Sequence, residues 1–317
     1  MRQKIAIIGA LTNFGRALAD YLAYTHWPIE CLYALDYTNN QDIQIPYRSS
    51  FLPVVPLNAF DFHQVHLSYL CLPTLLNEDK NIILQSGSYL IDCAGIIENA
   101  PCMIASLSHS KSINRQIIAN PTAPTIALGH VLSPIHHQLK INSAESTMLL
   151  SANLFGITAI QDLVAQSRCL FTREEPKMNF IHKIQAFNLI PDISGILNRR
   201  TAREIKSLLH IPIGICSCLA PVFQGECYSL TFTVEKQCTL SQIQKICLDN
   251  PHCTWNQSLT PDLNPTTQDI VFSNSIHIAN LAPVAFRPRT FHTWILCDSL
   301  RVGSVPNAIQ IGKHLLN

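Results

Sequence analysis

The stretch Ile117–Leu128, I-I-A-N-P-T-A-P-T-I-A-L, has the form of an elbow. An apolar, strand-like start runs into Asn120-Pro121, and a helix begins near Pro124. An elbow of this kind presents one side chain at a helix start, where the dipole favours an anion and nucleophiles are often mounted. The residue presented here is Ala123, which has no chemistry. A second constellation, Gly9-Ala10-Leu11-Thr12-Asn13-Phe14-Gly15, lies between an apolar run and a helical pattern. A dinucleotide pyrophosphate would sit on such a loop. Asp36, 21 positions after Gly15, ends the next apolar run and is placed to accept from a ribose hydroxyl.

Cysteine is the other residue type with reactive promise. There are 12, scattered, with no C-x-x-C. Cys216-x-Cys218 on a period-2 strand places both thiols on one face. With no export signal they read as buried reduced thiols rather than as a disulfide framework. Cys247, His252 and Cys253 suggest a metal site, but zinc takes four well-spaced ligands and no second pair sits nearby, so a structural role is expected and no metal.

The elements that must hold these groups change character along the chain. Ile5–Ile8 reads as a strand, Phe14–Tyr24 as a helix, Glu30–Leu35 as a strand; His66–Leu72 and Tyr89–Cys93 follow as strands, with Asn81–Gln85 a helix end. Short apolar runs separated by helices predict a doubly wound parallel sheet. Beyond about residue 125 the helices Ile126–Leu139, Leu154–Gln166, Thr201–Leu209 and Ser241–Cys247 mix with strands at Ser146–Ser151, Tyr228–Val234, Asp269–Phe272 and Ile276–Ile278. That pattern predicts an α+β domain with one sheet face exposed or covered by a partner. In Tyr228–Val234 the large residues Tyr228, Leu230, Phe232 and Val234 share one face, the face expected to meet a partner. The tail Val305–Leu316 predicts a helix that packs back on the first domain.

With 47% hydrophobic and 14% charged residues and a net charge of +1, nothing invites nucleic acid or an anionic membrane. No stretch of about 20 apolar residues predicts a membrane span. The N-terminus reads as a buried first strand rather than a signal peptide, so a cytoplasmic protein is expected.

Five motifs in order resemble the aspartate-semialdehyde dehydrogenase family: K-I-A-I-I-G-A-L-T-N-F-G-R-A-L, I-I-A-N-P-T-A-P-T, F-N-L-I-P, A-P-V-F-Q-G-E and W-I-L-C-D-S-L-R-V-G-S-V-P-N-A-I-Q-I. The resemblance runs from Lys4 to the C-terminus. It implies a dinucleotide-binding domain at 1–124, a dimerisation and catalytic-like α+β domain at 125–295, and a C-terminal helix at 296–317 returning to the first. It also implies a homodimer. Family members reduce an acyl phosphate to an aldehyde with NADPH, through a cysteine thioester.

Laid residue by residue on the family's motifs, the working positions are replaced. The elbow N-P-N-C-S-T puts the nucleophile on Ala123, and a methyl group forms no thioester. The histidine of G-H-S falls on Glu226. The arginine for the substrate carboxylate falls on Leu219, the arginine for phosphate on Glu98, and the glutamine near Leu150. A glutamate and a lysine map near Leu197 and Arg200. The glycine loop G-A-T-G-A-V-G keeps Gly9 and Gly15 but carries Thr12 for the middle glycine. Thr12 is expected to crowd the phosphates and to need a disfavoured φ. Two readings of Gly9, Leu11, Thr12, Asn13, Phe14, Gly15 and Asp36 stay open. One is a weakened NAD(P) site, NAD(H) preferred because Asp36 repels a 2′-phosphate; the other is a bare strand–helix turn. The chain resembles the Usg-type branch, in which active-site residues are lost, so a non-catalytic scaffold or binding module is expected. The alternative is an enzyme with altered chemistry on a related aldehyde or acyl substrate, using a thiol such as Cys93. Its small-molecule or protein partner is not specified by these residues.

Overall fold

The computed structural model describes residues 3–38, 42–108, 116–172, 174–256 and 261–316. Met1, Arg2 and Asn317, the outermost residues of the expected domains, lie outside them. The chain divides into two compact units, Met1–Pro121 with Ser304–Asn317, and Thr122–Gly303.

In the first unit β1 (Gln3–Ile8) has Ile5, Ala6, Ile7 and Ile8 wholly buried, so both faces are covered, as a central parallel strand requires. It is followed by α1 (Asn13–Ala23), β2 (Ile29–Asp36), β3 (Gln44–Tyr47), β4 (Ser50–Pro56), β5 (Leu67–Leu70), α2 (Asn77–Gln85), β6 (Tyr89–Asp92) and β7 (Ile117–Ala119). The sheet order is β3-β4-β2-β1-β5-β6-β7. All its pairings are parallel except the β3–β4 hairpin. The chain winds outward from β1 to β2 and β4, then crosses to β5 on the other side. A crevice at the carboxyl ends of β1 and β5 follows from that reversal.

The second unit holds α3 (Ala123–Leu139), β8 (Ile141–Leu150), α4 (Ile157–Thr172), β9 (Ile190–Pro191), α5 (Gly195–Leu209), β10 (Ile213–Leu219), β11 (Glu226–Val234), α6 (Leu240–Leu248), β12 (Cys253–Asn256), β13 (Ile276–Pro283) and β14 (Thr290–Cys297). Its mixed sheet runs β12-β13-β14-β11-β8-β10-β9. The last helix, α7 (Ser304–Leu316), belongs to the first unit and packs on α1.

Three expectations need correction. The returning segment starts at Ser304 and not at 296, because Thr290–Cys297 is a strand whose Phe291, Thr293, Ile295 and Cys297 are buried in the second unit. Asp269–Phe272 is a turn and not a strand. The Asp269 carboxylate accepts from the Thr266 amide and hydroxyl, both at 2.7 Å, and this local bonding competes with a sheet ladder. Finally, Tyr228, Leu230, Phe232 and Val234 are not an open face. They are at most 1% exposed, in one core with residues of α3, α5 and α6. The face left uncovered is the opposite one, with Glu145, Thr147, Cys216, Ser229 and Thr231. Period-2 alternation separates two faces of a strand but does not say which one the chain's own helices cover.

Candidate functional site

The elbow exists. Thr122, at φ −64° and ψ 155°, caps α3, and Ala123 is the first helical residue, 6% exposed. Pro124 stands second and brings no N–H to the helix's first turn. So the position lacks a nucleophile, and the turn has lost an amide that could face developing negative charge.

The elbow is not without an anion, however. Glu204 of α5, nearly buried, turns Oε2 toward it and accepts from the Thr122 amide at 2.9 Å, the Thr122 hydroxyl at 3.0 Å and the Thr125 hydroxyl at 2.7 Å. Its Oε1 accepts from Arg200 Nε at 2.7 Å, a part-buried ion pair one helical turn apart. Thr201 completes the cluster, 3.2 Å from the Thr122 hydroxyl. Arg200, near which the resemblance maps the family's lysine, thus pairs with Glu204 and keeps 16% of its side chain exposed. The sequence signals were slight: Thr122-x-x-Thr125 as a capping pattern, and Arg200 four residues before Glu204.

Glu226, at the position matched to the family's histidine, is fully buried. Gly225 delivers it through a turn at φ +88°, where a Cβ would lie 2.6 Å from the Thr267 carbonyl. Its Oε1 accepts from the hydroxyls of Ser151 at 2.8 Å and Ser299 at 3.0 Å, and Oε2 from the Ser299 amide at 3.1 Å. Burial pushes its carboxyl from the usual 4.5 up to about 7, opposed by those three bonds and assisted by the negative charge of Asp298. The expected proton shuttle facing a substrate is thus an interior group. Asp298, also wholly buried, binds Gln224 and the Phe272 and Leu300 amides.

Leu150 and Leu219 are direct partners across β8 and β10, at most 1% exposed. Ser151, one residue beyond Leu150, reaches Glu226, so these three positions are neighbours. Gly303 brings Ala123 close to the same loop: a Cβ there would meet the Ser299 carbonyl at 1.9 Å and the Ala123 methyl at 3.3 Å. Leu197 packs on the hydrophobic core of the second unit. Glu98 instead sits exposed on a turn of the first unit, after Asp92 has capped the amides of Gly95 and Ile97.

Cys93 is buried, its Sγ 3.8 Å from the Ile91 carbonyl. Burial pushes the thiols of Cys247 and Cys253 up to about 12. Among the described residues no group of three or more His, Cys, Asp or Glu is placed to hold a metal. No helix among them is long and apolar enough to cross a membrane.

The glycine loop departs from expectation at Thr12. Its φ is −67°, an ordinary value, because Thr12 is the N-cap of α1: its hydroxyl accepts from the Gly15 amide at 3.0 Å and donates to the Gly9 carbonyl at 2.7 Å. The two retained glycines have steric reasons. Gly9 is at φ +86°, and a Cβ on Gly15 would lie 2.1 Å from the Gly9 carbonyl. Asp36 accepts from the Leu11 amide at 2.9 Å through Oδ2 and from the Tyr37 amide at 2.8 Å through Oδ1. Each oxygen thus already serves the backbone of its own unit. Asn13 and Phe14 supply the first amides of α1.

Residues 132–302 match the family model described as semialdehyde dehydrogenase, dimerisation domain. The chain belongs to the semialdehyde dehydrogenase family. Over nearly the whole length of both chains this family member is similar to aspartate-semialdehyde dehydrogenase of Rickettsia bellii, at 25% identity over 340 residues (99% and 98% covered). It is comparably similar to the USG-1 protein homolog of Azotobacter vinelandii, at 24% over 329 residues (98% and 97%). Among solved structures, a probable aspartate-semialdehyde dehydrogenase from Pseudomonas aeruginosa has the same fold, with a TM-score of 0.90 at 22% identity, covering 100% of this chain and 99% of that one.

Proposed function

We propose that this member of the semialdehyde dehydrogenase family is a non-catalytic homodimer of the cytoplasm that serves as a binding or scaffold protein. The observation that carries the reading is the elbow, whose buried turn offers a methyl group and a proline where thioester chemistry needs a thiol and an amide. Glu226, sealed behind two serines, supports it. Purified protein should show no phosphate-dependent reduction of NAD(P) with aspartate semialdehyde above a no-enzyme control. Ala123→Cys should not restore it, because Leu219, Leu150 and Pro124 remain. Turnover that scales with protein and survives dialysis would refute the reading.

A second reading, an oxidoreductase with altered chemistry on a related semialdehyde or acyl substrate, is favoured by one feature. Glu226 has an acid–base range near neutrality, suited to proton transfer. It requires that the serine contacts open to substrate. A screen of aldehydes and acyl phosphates that yields turnover abolished by Glu226→Gln would establish it.

The homodimer reading rests on the family's dimerisation domain and on the uncovered sheet face with Glu145, Thr147, Cys216, Ser229 and Thr231. An obligate interface there would bury more than ~2,000 Å² in total. Thr147→Arg and Ser229→Arg, two bulky charges on that face, should convert the dimer to monomer in sedimentation velocity. A monomeric wild-type protein at micromolar concentration would remove the claim.

A further inference from the structure

The dinucleotide crevice of a doubly wound sheet opens where the strand order reverses, here at the carboxyl ends of β1 and β5. In this chain a side chain crosses it. Tyr37 follows β2 on one side of β1, and its hydroxyl donates to Asp79 of α2, beyond β5 on the other side. The same hydroxyl accepts from the Leu76 amide at 3.2 Å. Both hydrogen-bonding capacities of the phenol are thus spent across the carboxyl end of β1. Burial and the Asp79 bond raise its pKa, so it remains a donor at neutral pH.

The supports of this bridge belong to the loop a dinucleotide would use. Asp36 binds the Leu11 amide of the glycine loop through one oxygen and the Tyr37 amide through the other. One carboxylate therefore fixes the loop that would cradle the phosphates and the residue that spans the crevice. Glu78 and Asp79 stand in the first turn of α2, where acids offset the helix's positive end. Yet Tyr37 keeps 43% of its surface exposed. It lies at the mouth of the crevice and not in the core, so it can swing away without dismantling the unit.

We infer that Tyr37 is a latch across the nucleotide crevice, and that an adenine dinucleotide enters only by displacing its hydroxyl from Asp79 and Leu76. The ligand class is a dinucleotide without a 2′-phosphate, because Asp36 and Asp79 line the opened space with negative charge. The latch is independent of catalysis. Dinucleotide binding without turnover leaves the proposed function standing, and turnover would refute that function without touching the latch.

The test is calorimetric titration of the full-length protein with NAD+, NADH and NADP+, on wild type, Tyr37→Phe, Tyr37→Ala and Asp79→Asn. Tyr37→Phe keeps the ring and loses both hydrogen bonds, so it guards against a folding artefact. Hydrogen exchange at the Leu76 amide reports separately that the bridge is broken. The expected result is faster exchange at Leu76 and at least tenfold tighter NADH binding in Tyr37→Phe, with Asp79→Asn, whose amide oxygen still accepts from the phenol, between it and wild type, and NADP+ remaining the weaker ligand. Faster exchange with unchanged NADH affinity would overturn the latch, as would the absence of NADH binding in every variant at millimolar ligand. NADP+ binding as tightly as NADH in the opened variants would overturn the ligand class.

Discussion

Glu204→Ala is expected to destabilise the second unit by about 2–3 kcal/mol, below the range of about 3–5 kcal/mol for removing one partner of a fully buried ion pair because Arg200 keeps contact with solvent. The substitution removes the Glu204 carboxylate from Arg200, whose side chain is 16% exposed. It also leaves the Thr122 amide and the hydroxyls of Thr122 and Thr125 without their shared acceptor. A buried donor deprived of its partner costs about 1–3 kcal/mol, and the three are coupled, so their losses do not add. Glu204→Gln keeps an oxygen for the threonines and loses the charge opposite Arg200, and should fall between alanine and wild type. Urea unfolding followed by tryptophan fluorescence is a suitable measure, since Trp255 and Trp294 lie in the second unit. A loss below about 1 kcal/mol for the alanine variant would mean that water replaces the carboxylate without cost and that the cluster is not what fastens α3 to α5.

Glu226 should contribute a loss of stability as pH rises from about 5 to 8, opposed below about pH 6.5 by His130, His136 and His277, whose pKa values burial lowers. Its carboxyl titrates near 4.5 when the chain is unfolded and at about 7 when folded. Between those values the folded protein holds a proton that the unfolded chain has released. Raising the pH through this window therefore favours unfolding, and above it the folded state carries a buried carboxylate. The full difference is on the order of 3 kcal/mol. In Glu226→Gln this contribution should vanish. The amide oxygen can accept from the Ser299 N–H, and its NH2 can donate to the serine hydroxyls once these turn to accept, so the neutral side chain stays satisfied. Urea midpoints for both proteins at pH 5 and pH 8 decide the matter. The histidine contributions cancel in the comparison: a glutamine variant with the same pH slope as wild type would assign the slope elsewhere, and a variant that loses more stability than wild type toward pH 8 would reverse the sign.

Much of the architecture was legible because it rests on local patterns. Ile5–Ile8 is apolar on both faces and therefore central. Asn120-Pro121 ahead of Thr122 marks a turn and a cap, and the elbow is where these residues place it. The β3–β4 hairpin was not legible: Gln44–Tyr47 and Ser50–Pro56 contain prolines and exposed residues, which hide an edge pair from any periodicity. At Thr12 the sequence pointed to a disfavoured φ, whereas the residue caps a helix at an ordinary φ of −67°, because a threonine one step before a helix satisfies an amide that a glycine would leave open.

The chain's residues alone determine that the elbow has no thiol, that Glu226 brings a carboxylate, and that the glycine loop has its two sterically required glycines. These are matters of identity at positions set by local motifs. The pairings were decided by tertiary structure. Glu204 meets Thr122 across 82 residues, Glu226 meets Ser151 across 75, and Tyr37 meets Asp79 across 42. No local pattern encodes such separations. A buried carboxylate needs donors wherever the fold can bring them, and which donors arrive is set by helix packing and strand register. Likewise, which face of β11 lies inside depends on where α3, α5 and α6 settle, and that is a property of the folded unit as a whole.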